Sequence, residues 1–288
     1  MEAEPAKIQG KLYLVGTPIG NLEDISLRAL RILKEADLIA CEDTRQTAKL
    51  LAHYGISSPR ESYHEHNEKS KAPHLIDALK QGKTIALVTD AGTPLISDPG
   101  HVLISACRRE AIPVISIPGP SAVVTALAGS GLSTDPFLFV GFLPPQKSKR
   151  RRKLQELSAL RFTLVFYESP HRLLNSIQDM IDILGSRQAC LARELTKIHE
   201  EWLSGTLEEI FSSLEIRTHI QGEITLVVSG CSGEAAPASS PLSLREDLDK
   251  EIQSTGAPPN KALKTIARQR GLSRKEAYRL LLQEKREP

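Results

Sequence analysis

Residues 11–128 alternate between short apolar runs and longer stretches in which apolar residues recur at helical spacing. The short runs predict strands buried on both faces of a parallel sheet, and the periodic stretches predict amphipathic helices. The predicted strands are 11–15, 38–41, 84–89 and 114–117. The predicted helices are 26–36, one that ends near His53, 68–80, one near 101–110, and one that opens at 118–122 and reaches about 128. The expected buried face of the first helix comprises Leu27, Leu30, Ile32 and Leu33.

Polar segments rich in Gly and Pro follow these predicted strands, at 16–21, 42–45, 90–100 and 118–122. Parallel strands end at a common edge of the sheet, and open α/β folds bind their ligands at that edge. The clearest case is TIALVTDAGTPLISDPG at 84–100, where a buried strand opens abruptly into Asp, Gly and Pro. A long turn would use the same residues, so a ligand loop is one of two interpretations. The pattern predicts a doubly wound first domain with its site at the carboxyl edge.

A second α/β unit is predicted over 119–230. Its strands are expected at 137–141, 162–167, 189–192 and 223–229. Ser169 suits an N-cap and Pro170 a first helical position, which predicts a helix immediately after Glu168. The charged run RELTKIHEEW at 193–202 is either part of a site or a solvated turn.

The change in composition after residue 229 predicts a linker and a separate tail. We expect an N-terminal α/β domain at 11–118, a second α/β domain at 119–230, a linker at 231–241 and a basic helical domain at 242–288. In the tail, Ser273 and Glu276 form a capping-box pattern within a predicted helix–turn–helix. Such helices bind nucleic acid in some proteins and form plain helical bundles in others.

The overall composition narrows the class of protein. With 288 residues, 40% of them hydrophobic and 25% charged, the chain is expected to be an ordinary soluble protein of about two domains. No apolar run approaches a membrane span, and the start MEAEPAK lacks a signal-peptide pattern, so we expect a cytoplasmic location. The four cysteines lie far apart, which predicts reduced thiols. No metal-binding, GxGxxG or GKS/T pattern is present, so a metal, NAD and ATP are disfavoured.

The net charge of +2 conceals two basic segments. Segment 147–153, KSKRRRK, has six positive side chains, and segment 260–286 has a net charge of +7, so the rest of the chain carries −11. Concentrated basic patches on an acidic body favour docking to a polyanion such as nucleic acid, although a solvated loop and a basic helix pair would look the same. The candidate RNA-binding residues are Lys147, Lys149, Arg150, Arg151, Arg152, Lys153, Lys261, Lys264, Arg274, Lys275 and Arg279.

Seven motifs occur in order: VGTPIGNLEDIS, CEDTR, LVTDAGTPLISDPG, IPGPSA, GFLP, FYESPHR and RELTK. This series closely resembles the RsmI-type ribosomal RNA small-subunit methyltransferases of the tetrapyrrole methylase superfamily. The resemblance is dense over 11–230, and the tail is similar to the small C-terminal domain of that family. It implies two α/β domains with S-adenosylmethionine (SAM) in the cleft between them, followed by helices.

The resemblance also implies an activity and a site. Family members methylate the ribose 2′-oxygen of a decoding-site cytidine in 16S rRNA, which implies the 30S subunit as partner and a homodimeric enzyme. The SAM contacts implied by the motifs are Ile19, Asp90, Thr93, Ser121, Ala122, Tyr167, Ala192 and Thr225.

Methyl transfer to a hydroxyl requires alignment of the reactants and benefits from a general base. Candidate bases at the expected cleft are Glu42, Glu168, Glu194 and Lys197. A lysine base would need a depressed pKa, to which Arg193 could contribute. Candidate phosphate or sugar clamps are Arg45, Arg172 and Arg193. Each of these residues could instead belong to a structural ion pair.

Two other functions stay open on the sequence alone. One is a SAM-dependent methylase of a tetrapyrrole or another small molecule, which would not need the basic segments. The other is a SAM-sensing protein that binds nucleic acid without catalysis, which would not need the charged residues at the strand ends.

Overall fold

The computed structural model describes residues 10–231, 244–256, 258–269, 277, 278 and 281. The chain divides into two compact units, Met1–Gly230 and Cys231–Pro288. Within the first unit the described residues form two five-stranded sheets with helices. The division falls where the sequence predicts the linker to begin, and the proposed boundary at 118 lies between the two sheets.

The first sheet is entirely parallel, with the strand order β3-β2-β4-β1-β5. Its strands are β1 (Lys11–Val15), β2 (Leu38–Cys41), β3 (Arg60–Ser62), β4 (Thr84–Val88) and β5 (Val114–Ile117). The helices between them are α1 (Leu27–Glu35), α2 (Thr44–His53), α3 (Glu68–Lys80) and α4 (His101–Arg109), with a 3-10 helix at Leu22–Asp24. The predicted elements of this sheet are confirmed. The short edge strand β3 was not predicted, because Arg-Glu-Ser carries no apolar signal.

The expected face of α1 was wrong at one position. Ser26 caps the helix by accepting from the backbone amide of Ala29. Ile32 and Leu33 are buried as predicted, but Leu27 is 87% exposed. At about 100° per residue, Leu27 lies on the side of the helix opposite the buried face.

The second sheet is mixed, with the order β6-β7-β10-β8-β9. Its strands are β6 (Phe137–Phe142), β7 (Thr163–Glu168), β8 (Gln188–Arg193), β9 (Glu201–Thr206) and β10 (Ile224–Val228). Strands β6 and β7 are parallel and the other pairs are antiparallel. The helices are α5 (Ala122–Gly129), α6 (Lys147–Leu157), α7 (Leu173–Leu184) and α8 (Leu207–Glu215). One face of this sheet packs against α6, α7 and α8.

The other face of the second sheet joins it to the loops of the first. Val165 and Val227 on that face pack with Val123 of α5 and with Ile19, which follows β1. The loop after β1 therefore reaches the second sheet, and the two sheets share an apolar contact at their junction.

One expectation for the second sheet was wrong, and the strand β9 was not predicted. Helix α7 begins at Leu173 with Arg172 at the cap position, so Ser169 and Pro170 are not its first residues. The carboxylate of Glu168 accepts from the Ser169 amide and from Arg172, which keeps the intervening residues in a turn. The charged run at 193–202 contains the end of β8 and the start of β9, and its charges concealed the strand.

The second unit contains α9 (Leu244–Thr255) and α10 (Pro259–Gln269) in its described part. Leu263, Ile266 and Ala267 of α10 pack with Ala277. The predicted capping box of Ser273 and Glu276 lies outside the described residues. Across the residues that the structure describes, no helix is both long and apolar enough to cross a membrane.

Candidate functional site

Three loops at the carboxyl edge of the first sheet are tied together by hydrogen bonds. Thr17 and Gly92 exchange two backbone hydrogen bonds of 2.9 and 3.0 Å, which join the loops after β1 and β4. The Thr93 hydroxyl donates to the carbonyl of Pro120 at 2.9 Å, which joins the loops after β4 and β5. Gly92 has φ +85°, a conformation that glycine adopts without strain. These loops therefore form one fixed wall.

This wall faces the second sheet across a cavity of about 450 Å³, within the size range of small-molecule sites. Most of the implied SAM contacts line it. They are Ile19, Asp90, Thr93, Ser121, Ala122, Tyr167 and Thr225. Ala192 is not among the lining residues; it is buried and pairs with Thr225 between β8 and β10.

The lining of the cavity is strongly acidic. It includes the carboxylates of Glu42, Asp90, Asp98, Glu168 and Glu223. Among the described residues that line it, no Lys, Arg or His is present. SAM has a positive charge on its sulfur, a second positive charge on its amino group and one negative carboxylate. Its net charge is therefore positive. The lining therefore fits SAM, and it disfavours a ligand that presents phosphates to this space.

Asp98 is a site residue that the sequence-based selection missed. It lies in the loop after β4, where Leu95 and Ser97 have positive φ values of 73° and 70°. Burial raises the pKa of Asp98 to about 6. A hydrogen bond with Thr89 lowers this pKa, and the negative charges of Glu42 and Asp90 raise it further. The sequence feature that could have identified Asp98 is its position in the DAGTPLISDPG segment, two residues before Gly100.

Tyr167 lines the same cavity as Asp98. Burial and then the charge of Asp98 raise the pKa of Tyr167 to about 12. The phenol therefore stays protonated at neutral pH, and Tyr167 contributes an aromatic wall rather than a base.

Glu168 and Arg172 form an ion pair at the end of β7. Glu168 is 3% exposed and accepts from Arg172 at 2.7 Å and from the Ser176 hydroxyl at 2.6 Å. Arg172 also donates to the carbonyl of Leu143 at 3.2 Å. Although Glu168 borders the cavity, its oxygens are engaged, so the geometry gives it and Arg172 a positioning role.

The candidate residues of the RELTK motif are also engaged with one another. Lys197 donates to Glu194 at 2.8 Å and to Glu223 at 3.1 Å. Burial alone would lower the pKa of Lys197, but its hydrogen bonds and the charges of these two carboxylates outweigh burial and raise it. Lys197 therefore lacks the depressed pKa that a lysine base would need. Arg193 pairs with Glu201 at 2.8 Å and does not line the cavity.

Arg45 lies outside the cavity on the first turn of α2. Its side chain is 86% exposed, and its guanidinium pairs with Asp43 at 3.1 Å. The Asp43 amide in turn donates to Asp90 at 3.1 Å. Arg45 is therefore an exposed cation beside the acidic cavity.

The basic segment of α6 divides into two groups. Lys147, Lys149 and Arg152 are exposed. Arg150 is 5% exposed and pairs with the buried Asp179 at 2.7 Å, so its assignment as an RNA-binding residue was wrong.

Arg151 pairs with both Asp179 and Asp182 at 2.7 Å, and Lys153 lies 3.5 Å from Glu156. Lys261 and Lys264 are exposed on α10. Arg274, Lys275 and Arg279 lie outside the described residues. Among the residues that are described, no group of His, Cys, Asp and Glu is arranged to hold a metal ion.

Comparison with known proteins agrees with this arrangement. Residues 11–210 match the family model of Tetrapyrrole (Corrin/Porphyrin) Methylases. The chain is 49% identical to the Ribosomal RNA small subunit methyltransferase I of Halalkalibacterium halodurans over 96% of both chains. It is 46% identical to the protein of the same name from Vibrio cholerae, over 93% of both chains.

The fold has solved counterparts. The crystal structure of uroporphyrin-III C-methyltransferase from Thermus thermophilus, complexed with S-adenosyl homocysteine, covers 76% of this chain and 97% of its own, with a TM-score of 0.54 at 19% identity. That likeness supports the architecture of two sheets around a cavity. The chain belongs to the tetrapyrrole methylase family and, within it, to the ribosomal RNA small subunit methyltransferase I group.

Proposed function

We propose that this methyltransferase transfers a methyl group from SAM to the ribose 2′-oxygen of a decoding-site cytidine in 16S rRNA. The observation that carries the proposal is the 49% identity, over 96% of both chains, with a relative named for methylation of small-subunit ribosomal RNA. The acidic lining of the cavity supports SAM as the donor. A cytoplasmic homodimer acting on the 30S subunit is part of the same proposal.

Different residues of the cavity would contact different parts of SAM. Ile19, Tyr167 and Thr225 would supply its walls, and Asp90 would face its positive charge. Bound SAM supplies an activated methyl group on a positively charged sulfur. The fixed loops after β1, β4 and β5 would keep donor and acceptor aligned, which is a major source of rate enhancement in a displacement of this kind.

Asp98 is the carboxylate best suited to accept the 2′-hydroxyl proton. Glu168 is surrounded by donors, and Glu194 is bound to Lys197. Asp98 lines the cavity, and burial raises its pKa to about 6. At neutral pH it is mostly ionised, and a base with a pKa near the working pH accepts a proton more effectively than an ordinary aspartate.

The phosphates of the RNA would be held outside the acidic cavity. The exposed cations Lys147, Lys149 and Arg152 lie on one helix, and Arg45 lies beside the cavity. Phosphate contacts of this kind provide affinity and position the RNA, whereas chemistry at the ribose requires the cavity.

The proposal is tested by transfer of labelled methyl groups from SAM to three acceptors: small ribosomal subunits, naked 16S rRNA and uroporphyrinogen. We expect label in the subunits or the rRNA and none in the tetrapyrrole. Label in the tetrapyrrole alone would support a small-molecule methylase. SAM binding without transfer to any acceptor would support a sensing role.

A further inference from the structure

Three aromatic rings form a row from the core of the second sheet to the mouth of the cavity. The ring centroids of Phe139 and Tyr167 are 5.0 Å apart, and those of Tyr167 and Phe142 are 5.5 Å apart. Phe139 packs with the apolar cluster that joins the two sheets. Phe142 lines the cavity and is 54% exposed. The row therefore ends in an aromatic ring that is open to solvent at the site.

A bulge in β6 puts Phe142 on this side of the sheet. Residues three apart in a regular strand face opposite sides, so Phe139 and Phe142 would be separated. The register with β7 shifts between Phe139 and Gly141, and Phe142 then pairs with Tyr167. Gly141 has φ +74°, and its backbone lies close to the loop after β4. A Cβ at this position would be 3.5 Å from Ser97 Oγ in that loop. The extra residue of the bulge thus places Phe142 on the side of the sheet that faces the cavity.

The backbone beside Phe142 is fixed. The carbonyl of Leu143, the next residue, accepts from Arg172, and Arg172 is anchored on the buried carboxylate of Glu168. Leu143 itself is 1% exposed. An ion pair on a buried carboxylate thus holds the backbone next to Phe142, which gives the exposed ring a defined position.

An exposed ring beside five carboxylates suits a flat and uncharged partner. Nucleobases meet this description, and unpaired bases of RNA stack on exposed aromatic side chains. Ile96, 38% exposed, adds a second apolar surface to the same cavity. Phosphates would be repelled by the acidic lining, whereas a base would not.

We propose that Phe142 is a positioning residue that stacks on the base of the target nucleotide, so that its ribose enters the cavity. This inference rests on the proposed function and adds the residue that holds the substrate. It predicts that the nucleotide is turned out of its RNA structure when it is bound.

The test is a set of substitutions in the full-length protein, assayed for methyl transfer to small ribosomal subunits and for SAM affinity by calorimetry. Phe142→Ala and Phe142→Leu should lower kcat/KM for the subunits by roughly 5- to 150-fold, which corresponds to the loss of one base–aromatic stack. The Kd for SAM should stay within about twofold of that of the unaltered protein. Phe142→Tyr and Phe142→Trp should retain activity, because they keep a stacking surface.

Phe137→Ala is the matched control, since Phe137 is 43% exposed on the same strand and does not line the cavity. It should leave kcat/KM unchanged. Equal activity of Phe142→Leu and Phe142→Tyr would overturn the stacking assignment, because Leu retains an apolar side chain but provides no aromatic face. A lower molar mass of Phe142→Ala by light scattering would also overturn it and place Phe142 between two copies of the chain.

The two proposals fail in different ways. If the unaltered protein labels no subunit or rRNA, the proposed function fails and the stacking assignment fails with it. If the unaltered protein is active and Phe142→Ala and Phe142→Leu behave like the Phe137 control, only the stacking assignment fails.

Discussion

Thr89 donates its side-chain hydroxyl to Oε2 of Glu42 at 2.9 Å. The bond joins the first residue after β4 to the first residue after β2, and both residues lie at the acidic edge of the first sheet. Asp98 shares this edge, and burial raises its pKa to about 6. The Thr89 side chain therefore contacts both Glu42 and Asp98, our candidate base.

Asp98→Asn should lower kcat by roughly 10²- to 10⁴-fold, the usual contribution of a general base. The kcat/KM of the unaltered protein should fall as the pH drops below about 6, because a protonated Asp98 cannot accept a proton. Both are measured by methyl transfer to small subunits across a pH series. Glu23→Gln is the control, since Glu23 is exposed on the 3-10 helix after β1 and does not line the cavity. Full activity of Asp98→Asn would rule out Asp98 as the base.

The same aspartate should reduce the stability of the fold. Its pKa is raised from 3.8 to about 6 in the folded protein, so the folded state binds more protons than the unfolded state between those values. Stability is therefore lost as the pH rises through that window. Asp98→Asn should raise Tm at pH 7.5, and the difference should shrink as the pH falls toward 4. A lower Tm for this variant at pH 7.5 would contradict the burial of a charged group.

Arg150→Ala should destabilise the protein by about 3 kcal/mol, because it leaves the buried Asp179 without one of its charged partners. Arg152→Ala, at an arginine that is 83% exposed, should cost less than about 0.5 kcal/mol. Denaturant unfolding measures both values. Similar losses in the two variants would show that the pair of Arg150 and Asp179 has no special role in stability.

Glu201→Gln should lower stability at neutral pH by roughly 1–3 kcal/mol, since Glu201 accepts hydrogen bonds from two arginines. The hydrogen bond from Arg217 is the main reason that the pKa of Glu201 falls to about 2. The contribution of Glu201 is complete above pH 4.5 and is lost as the pH falls toward 2. Thermal unfolding between pH 3 and 7 tests this, with the exposed Glu215→Gln as control.

Lys149→Ala should weaken RNA binding and reduce the slope of log affinity against log salt by about 1. Lys149 is exposed on α6. Lys83→Ala is the control, because Lys83 is also exposed but precedes β4, at the opposite edge of the first sheet. Equal salt dependence in the two variants would show that α6 does not contact RNA.

The position of the site at the carboxyl edge of the first sheet was predictable because the sequence signals for it are local. In the first sheet, β1, β2, β4 and β5 are each followed within two residues by Gly, Pro or Asp, and the parallel order of the strands places those segments together. Asp98 was missed because its raised pKa depends on burial and on the charge of Glu42, which is far from it in sequence.

The basic segment of α6 shows a different limit of prediction from sequence. KSKRRRK has the composition of a surface patch, yet Arg150 faces inward to Asp179, 29 residues further along the chain. Which cation of such a run is buried depends on the partner helix α7 and not on the run itself. Likewise, the bulge that redirects Phe142 follows from pairing with β7.

The proposed function is tested most directly by mass spectrometry of nuclease fragments from small ribosomal subunits incubated with SAM and the protein. We expect one fragment heavier by a methyl group, with a 2′-O-methylcytidine at the decoding site, and we expect this fragment to be lost with Asp98→Asn. A methyl group on a base, or on a nucleotide elsewhere in the subunit, would contradict the proposed function.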